Sequence, residues 1–430
     1  MPAMAAVKRV AKACAARTAK AAQKGCATDV ISRVCALGAT LALVAVIFTR
    51  ASAVPVAQAF RPAHVASVAQ AFTPAHVPSV AQAFRPAAAA TQEPARPAFS
   101  DWLSGVRAEA LARGVKPEIV DAALADVEEP LPVILERDRA QAETIFPLEH
   151  YVARRLTPRL IAGGRAAIAR HRDLLDEIGA SYGVPPTIIT AIWGIESNYG
   201  GFTGVRPTVA ALATLAWDPR RATFFRGELF NALEILNRGD IDLAHLRGSW
   251  AGAMGQVQFM PSSYLQYAED YDGDGRRDIW STPADIFASI ANYLSGRGWI
   301  DGDSWGREVK VTPEAARRIR ADIAPRSGSC SATRTMTVPL PRDKWEALGV
   351  RLRNGRPLPK SDGPTSLVSG TTRFFLVTPS YDAILEYNCS HAYAITVGLL
   401  GDAIASNAPV PAAARPKTAA KPARRKRAKG

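Results

Sequence analysis

The stretch 191-AIWGIESNYGG-201 places one carboxylate, Glu196, at the end of an apolar run and just before two glycines. Two prolines, Pro185 and Pro186, precede the run, and proline is favoured at the first position of a helix. The pattern therefore predicts a helix that begins at the prolines and ends at the glycines. Apolar residues stand seven, four and three places before Glu196 and share its helix face.

An acid at the end of an apolar stripe has two interpretations. Burial and the carboxyl end of a helix both disfavour the charged form, so they predict a raised pKa for Glu196. A protonated acid of this kind suits donation of a proton to a leaving glycosidic oxygen, and Gly200 and Gly201 would let a ligand approach. Alternatively, Glu196 reaches water from the helix end, and the local sequence alone favours this second interpretation.

A second segment, 248-GSWAGAMGQVQFMPSSY-264, combines small residues with two amides, Gln256 and Gln258. It predicts a tight loop followed by a helix that begins at Pro261. Amide side chains in such a loop suit sugar hydroxyl and acetamido groups, and ordinary loop packing is the alternative.

The segment 270-DYDGDGRRDIW-280 is rich in acids at the spacing of an EF-hand calcium loop. Its first, third, fifth, sixth and ninth positions hold Asp270, Asp272, Asp274, Gly275 and Asp278. The twelfth position, normally Glu, is Ser281, so either a stretched loop is closed by Asp285 or the segment is a metal-free acidic turn. Mutual repulsion of four acids within nine residues favours the metal.

A fourth segment, 385-LEYNCSHAYA-394, offers Tyr387, Asn388 and Tyr393 as a wall for a sugar or as helix-packing side chains. Known motifs of other chemistries are absent from the sequence: G-x-S-x-G, the Walker A loop, C-x-x-C and H-E-x-x-H.

The net charge of +14 lies at the two ends of the 430-residue chain. Residues 1–50 carry +7 and residues 415–430 carry +8, which leaves −1 for the remainder. This distribution indicates targeting segments or contact with an anionic surface, such as an envelope polymer at the tail, and not nucleic-acid recognition. With 48% apolar residues, the chain can bury one large or two modest cores.

The first 53 residues resemble a targeting segment. A basic leader, an apolar run at 34–49 and the small residues 51-ASA-53 predict a signal peptide cleaved after Ala53, and an uncleaved anchor is the alternative. No lipobox follows, so we do not expect a lipoprotein. Residues 54–97 repeat with a 12-residue period rich in proline and alanine, which predicts a linker, and residues 407–430 are predicted to be a basic disordered tail.

Two of the five cysteines, Cys330 and Cys389, lie outside the leader. Export permits a disulfide between them, and two free thiols are the alternative. Residues 98–406 read as one globular region, mainly α-helical with late strand signals in 334-RTMTVPL-340 and 373-RFFLVTP-379. In 282-TPADIFASIANYLSGRGW-299, we expect Thr282 to cap a helix that ends before Gly296.

Taken in order, these segments resemble the lytic murein transglycosylases of the membrane-bound B type, over about residues 99–405. The stretch 192-IWGIESNYG-200 is similar to the catalytic Glu-Ser element of the family, and 208-TVAALATLAWDPRRATFFRGEL-229 is similar to its second block. The resemblance implies a mainly α (α+β) fold: a lysozyme-like helical core, an additional helical lobe and a small β insertion. Cys389 departs from the family pattern, which commonly has a larger polar residue there.

The resemblance also implies roles for individual residues. Glu196 would be the sole acid and base, and substrate contacts would come from Ser249, Gln258, Tyr293, Tyr387, Asn388, Tyr393, Arg220 and Arg221. A structural Ca²⁺ would be held by Asp270, Asp272, Asp274, Arg276 and Asp285, with no cofactor required for the chemistry.

The implied reaction is non-hydrolytic cleavage of the MurNAc–GlcNAc bond, leaving 1,6-anhydro-muramic ends. One carboxylate suffices because the nucleophile belongs to the same sugar, whereas glycosidases that use water or a covalent intermediate generally need two. The alternatives are a lysozyme-like muramidase and a non-catalytic peptidoglycan-binding protein. We expect a periplasmic monomer that acts on glycan strands and does not bind nucleic acid, anchored at the inner membrane if the leader stays uncleaved.

Overall fold

The computed structural model describes residues 97–139, 147–360 and 363–406. These ranges form fifteen α-helices, a short 3-10 helix and six strands, which confirms the predicted mainly α fold with a small β insertion. The predicted leader, the linker up to residue 96 and the basic tail lie outside the described residues. Within the described ranges, no helix has both the length and the apolar character needed to cross a bilayer.

The helix that carries Glu196 lies at the centre of the helical core. Six helices precede it: α1 (Phe99–Ala112), α2 (Pro117–Leu124), α3 (Pro132–Arg139), α4 (Leu148–Arg155), α5 (Pro158–Arg170) and α6 (Arg172–Tyr182). The helix itself, α7 (Pro186–Ser197), is buried continuously from Ile188 to Ile195. A helix that is apolar all round must be surrounded by other elements, and α7 contacts α5 and α6 as well as two helices from later in the chain.

A second group of helices forms the additional lobe. Strand β1 (Arg206–Pro207) pairs antiparallel with β2 (Arg247–Gly248), and between them lie α8 (Thr208–Trp217) and α9 (Ala222–Arg238). These two helices pack against each other, α8 contacts α3, and α9 contacts α2. Two further helices follow, α10 (Pro261–Tyr267) and α11 (Pro283–Gly296), and α11 packs against α6 and α7.

The β insertion has a hydrophobic core of its own around the buried Trp345. Its elements are β3 (Gly306–Lys310), α12 (Pro313–Asp322), the 3-10 helix (Thr333–Thr335), α13 (Arg342–Ala347), β4 (Arg351–Leu352), β5 (Ser366–Ser369) and β6 (Phe374–Val377). The strands form an antiparallel sheet in the order β4-β3-β6-β5.

The last two helices, α14 (Tyr381–Tyr387) and α15 (His391–Ala405), return to the main core, where α15 packs on α4, α5 and α7. A disulfide joins Cys330, just before the 3-10 helix, to Cys389, between α14 and α15. The structure thus decides in favour of the disulfide over two free thiols. The packing of α15 on α7 brings the fourth sequence segment to the acid of the first.

Several local predictions need correction. Helix α7 begins at Pro186 as predicted but ends at Ser197, and the residue that follows it is Asn198, a non-glycine residue with φ of 52°. Thr282 stands at the N-cap position of α11 as predicted, but its hydroxyl donates to Asp278 and not to the helix, and Gly296 lies inside the helix. The strand predicted at 373–379 is confirmed as β6. The strand predicted at 334–340 is wrong: only isolated bridges form there, and Pro339 has no N–H to continue a ladder.

Candidate active site

Glu196 lies half-buried in the last turn of α7 and is held by a hydroxyl from the far end of the chain. The Tyr393 hydroxyl, from the first turn of α15, donates to Glu196 Oε1 at 2.6 Å. Burial, and then the nearby charge of Glu196, raise the pKa of Tyr393 well above its ordinary value. Tyr393 therefore keeps its proton at neutral pH and remains a hydrogen-bond donor to the carboxylate.

Tyr393 belongs to a group of three contacting rings, here called the tyrosine wall: Tyr293, Tyr387 and Tyr393. The ring of Tyr387 lies 6.4 Å from that of Tyr393 at 17° and 4.7 Å from that of Tyr293. The Tyr387 hydroxyl donates to the Val257 carbonyl at 2.7 Å, and the Tyr293 hydroxyl donates to the Glu386 carbonyl at 2.6 Å. Burial raises the pKa of Tyr387, and it raises that of Tyr293 to about 12. The wall thus joins α11, α14, α15 and the loop that contains Val257.

The end of α7 is fixed from another side by Gln256. Its Oε1 accepts from Trp193 Nε1 at 2.7 Å, and its Nε2 donates to the Trp280 carbonyl at 2.7 Å. Gly200 has φ of 81°, and a Cβ there would lie 2.5 Å from Gln256 Oε1. Gly200 therefore makes room for Gln256, whereas the sequence interpretation gave that space to a ligand. The positioning role of Gln256 was missed because its amide was assigned to sugar binding.

The other polar residues of the small-residue loop also bond to the protein itself. Ser249 Oγ accepts from the N–H groups of residues 251 and 253 at 3.2 and 3.1 Å. Gln258, with φ of 51°, donates from Nε2 to the carbonyls of Thr203 and Gly255 at 3.2 and 2.8 Å. Asn388 is half-buried beside Tyr387. The predicted substrate contacts of Ser249, Gln258 and Asn388 stay predictions.

A cavity of about 490 Å³ opens beside Glu196. Its lining includes three exposed arginines, here called the arginine rim: Arg154, Arg155 and Arg159. Phe202, with 58% of its surface exposed, also lines the cavity, as does Asn198. Sequence reasoning missed the rim, although three arginines within 153-ARRLTPR-159 are a signal in a region of nearly balanced charge.

Arg220 and Arg221 are engaged elsewhere in the fold. Both guanidinium groups bond to the carboxylate of Asp138, and Arg220 also bonds to Asp218 at 3.2 Å. Asp138 is buried, and a buried carboxylate requires such compensation. Compensation of the buried Asp138 charge accounts for the presence of Arg220 and Arg221 in the helical lobe. The predicted contact of these two arginines with substrate stays a prediction.

The acidic loop, defined as residues 270–285, brings three of the predicted metal ligands together. Carboxylate oxygens of Asp270, Asp272 and Asp285 lie within 4.8 Å of one another. Asp285 is fully buried and accepts from the N–H groups of Tyr271 at 2.7 Å and Asp278 at 2.8 Å. Burial raises the pKa of Asp285 to about 6, and the charges of Asp272 and Asp270 add to the rise.

The remaining acids of this loop have local roles. Asp274 Oδ1 accepts from the Arg276 N–H at 2.8 Å, and Asp278 accepts from the N–H groups of Trp280 and Ser281 at 2.9 Å. The Ser281 hydroxyl also donates to Asp278. Asp285, and not Ser281, therefore reaches the carboxylate cluster. The predicted ligand roles of Asp274 and Arg276 stay predictions.

The cluster passes one test for a cation. Asp270 Oδ1 is buried and has no hydrogen-bond partner among the described residues. Such an orphaned oxygen, next to two further carboxylates, is the donor type that a hard cation such as Ca²⁺ takes. The donor set therefore fits calcium.

Comparison with known proteins identifies the family. The model of the transglycosylase SLT domain matches residues 98–402. The chain is 44% identical over 149 residues to membrane-bound lytic murein transglycosylase B of Escherichia coli (strain K12), which is 34% of this chain. The aligned part spans about two-fifths (41%) of that relative.

Solved structures agree over a longer range. SltB3 from Pseudomonas aeruginosa in complex with NAG-NAM-pentapeptide is 39% identical, with a TM-score of 0.64 over 71% of this chain and 79% of that one. The Escherichia coli lytic transglycosylase Slt35 in complex with calcium is 28% identical, with a TM-score of 0.59 over 72% of this chain and 93% of that one. These matches confirm the predicted resemblance, and the chain belongs to the transglycosylase SLT domain family.

Proposed function

We propose that this protein is a peptidoglycan lytic transglycosylase that cleaves the MurNAc–GlcNAc bond and leaves 1,6-anhydro-muramic ends. The observation that carries the proposal is Glu196, which opens onto the cavity while Tyr393 holds one of its oxygens. Among the described residues that line the cavity, Glu196 is the sole carboxylate. A single acid fits a mechanism in which the substrate supplies its own nucleophile.

In the proposed reaction, protonated Glu196 donates its proton to the glycosidic oxygen as the bond from that oxygen to the anomeric carbon breaks. The acetamido oxygen of the same sugar stabilises the positive charge on that carbon. Glu196, now a carboxylate, takes the proton of the C6 hydroxyl of the same sugar, and the C6 oxygen bonds to the anomeric carbon. The ring closes, and Glu196 ends protonated as it began.

Tyr393 supports the carboxylate stage of this cycle. A hydrogen bond to a charged acceptor is stronger than one to a neutral acceptor, so Tyr393 stabilises Glu196 best after the proton has left. The bond also fixes the orientation of the Glu196 side chain.

The substrate class follows from relatives and from charge. The related SltB3 was solved with NAG-NAM-pentapeptide and with NAG-anhNAM-pentapeptide, at 39% and 40% identity to this chain. We infer that glycan strands bearing peptide stems are the substrate here too. The arginine rim beside Glu196 would attract the carboxylates of those stems.

We also propose a structural Ca²⁺ held by Asp270, Asp272 and Asp285. The orphaned Asp270 oxygen supports it, as does the calcium complex of the related Slt35. The ion would offset repulsion between the carboxylates and stiffen the acidic loop. Because Gln256 connects Trp280 of that loop to Trp193, a stiff loop would help to hold the end of α7 in place.

We place the protein in the periplasm, exported by its N-terminal segment. The disulfide between Cys330 and Cys389 supports an oxidising compartment, and the E. coli relative is named as membrane-bound. A contact between the basic tail and an anionic envelope polymer remains a proposal that rests on charge alone.

Mass spectrometry of muropeptides released from purified sacculi tests the proposed function. We expect anhydro-muramic ends from the full chain, with a lysozyme digest of the same sacculi as the reference for reducing ends. Release of reducing ends would instead assign a hydrolase. Sacculi that retain the protein but release nothing would assign a binding protein.

A further inference from the structure

The disulfide is attached to the turn that sets the tyrosine wall. Cys389 lies in a three-residue connection, Asn388 to Ser390, between the end of α14 and the start of α15. Tyr387 immediately precedes this connection, and Tyr393 lies in the first turn after it. A change in the connection therefore moves both tyrosines relative to each other and to Glu196.

The backbone of the connection makes local hydrogen bonds: the Asn388 N–H donates to the Ile384 carbonyl at 3.2 Å, and the Ser390 N–H donates to the Asn388 carbonyl at 2.7 Å. Asn388 and Ser390 are extended, with φ of −149° and −147°. Ser390 caps α15 by accepting from the Tyr393 N–H at 3.4 Å, which is long for a hydrogen bond. These hydrogen bonds join residues within four places of one another, so the disulfide adds a covalent restraint from a distant segment of the chain.

The other end of the disulfide is firmly held. The segment 326–336 carries Cys330, and the Arg326 guanidinium makes two parallel bonds to the Asp382 carboxylate at 2.9 and 2.8 Å. Arg334 Nη1 donates to two carbonyls of the same segment at 2.9 Å, and Met336 is buried. Bidentate pairs of this kind fix geometry, so the segment is a rigid anchor for the sulfur of Cys389.

We propose that the Cys330–Cys389 disulfide is a positioning cross-link that keeps the Tyr393 hydroxyl on Glu196, so that reduction lowers the catalytic rate. The proposal rests on the proposed function. His391 Nδ1 and the Tyr381 hydroxyl, 2.9 Å apart, also hold the start of α15, so reduction loosens the turn without releasing the helix.

Reduction is chemically accessible because Cys389 is exposed and Cys330 is half-buried. A dithiol reductant such as dithiothreitol attacks one sulfur as a thiolate, and the S–S bond breaks. The second thiol of the reductant then closes its own disulfide. The protein gains two electrons and two protons and ends with two thiols.

The test compares oxidised wild type, wild type reduced with dithiothreitol, and the double variant Cys330→Ser/Cys389→Ser. We expect kcat for anhydromuropeptide release to fall about tenfold in both reduced and double-variant protein, with KM changing less. Reoxidation should restore the wild-type rate. Ser331→Ala is the matched control, since its hydroxyl lies 3.7 Å from Cys389 Sγ but forms no cross-link, and its kcat should not change.

A double-mutant cycle with Tyr393→Phe separates positioning from general loss of stability. If the disulfide acts through Tyr393, its removal in a Tyr393→Phe background should cost little further activity. Additive losses, or an unchanged kcat after reduction of the wild type, would overturn the proposal. If the double variant does not fold, the same cycle is measured with dithiothreitol-reduced protein, with and without Tyr393→Phe. Failure of oxidised wild type to release anhydromuropeptides would instead overturn the proposed function.

Discussion

The active-site acid and the acidic loop both depend on carboxylates, but their partners come from very different distances along the chain. Glu196 is held by Tyr393, 197 residues later. Asp285 is held by the backbone of Tyr271 and Asp278, 14 and 7 residues earlier. The loop is therefore assembled by its own spacing, whereas the active site exists only after α15 has packed on α7.

The two regions are also coupled. Gln256 accepts from Trp193 on the helix of the acid and donates to the carbonyl of Trp280 within the acidic loop. A change in the loop can therefore reach the end of α7, while a change in Glu196 should leave the loop intact. The predictions below test this asymmetry.

Replacing the acid should give the largest effect. Glu196→Gln removes the proton donor, so kcat for anhydromuropeptide release should fall by about 10²–10⁴-fold, with calcium binding and thermal stability retained. Glu234→Gln is the control, because Glu234 pairs with Arg238 on the surface of α9. Equal turnover by the Glu196 variant and wild type would remove Glu196 from the mechanism.

Removing the distant partner should have the next largest effect. Tyr393→Phe deletes a hydrogen bond to a charged group, worth about 1.5–3 kcal/mol, and kcat should fall about tenfold to a hundredfold. Tyr271→Phe is the control, since it deletes only an exposed hydroxyl bond to Glu177 at 3.1 Å and keeps the backbone N–H bond by which Tyr271 holds Asp285. A Tyr393 variant with normal kcat would show that the hydroxyl does not support the carboxylate.

The acidic loop should respond to calcium rather than to substrate. At 100 times its Kd, calcium should stabilise wild type by about 2.7 kcal/mol in denaturation experiments. Asp285→Asn should lose this gain, because it removes a buried carboxylate of the cluster, while Asp322→Asn at the exposed end of α12 should keep it. A calcium gain that survives in Asp285→Asn would place the ion elsewhere.

Calcium affinity should also depend on pH. The pKa of Asp285 is raised to about 6 by burial, so below that pH the folded, metal-free loop holds a proton that calcium must displace. Affinity measured by calorimetry should be constant above about pH 7 and fall about tenfold per pH unit below 6. In Asp285→Asn, any remaining weak calcium binding should show no fall in affinity below pH 6. A fall that persists in this variant would contradict the assignment of the pH dependence to Asp285.

The smallest effect concerns the arginine rim. Arg159→Gln should raise KM for peptide-bearing glycan about twofold to fivefold, because exposed charge pairs contribute about 0.2–1 kcal/mol, and the difference should shrink at high salt. Arg170→Gln, exposed at the end of the same helix α5, is the control. KM for glycan without peptide stems should be unchanged. An equal rise on both substrates would show that the rim does not bind the stems.

The sequence predicted those parts of the fold that depend on neighbouring residues. The start of α7 at its prolines, the strand β6 and the acidic spacing with Asp285 at the sixteenth position all follow from local pattern. The end of α7 at Ser197 did not, because Gly200 lies beyond the helix and leaves room for the distant Gln256 instead of ending the helix. The strand prediction at 334–340 failed because β-branched residues there outweighed Pro339 in the pattern.

By itself, the sequence determined a buried helix that ends in one acid, a stretched acidic loop and a chain whose basic charge lies at its ends. Only the tertiary structure decided that Tyr393 holds Glu196, that three arginines face the cavity, and that Cys330 bonds to Cys389. Helical periodicity and loop spacing act over a few residues, so a single sequence displays them. Contacts across 59 or 197 residues depend on how α15 and the β insertion pack, and that packing is set by the core as a whole.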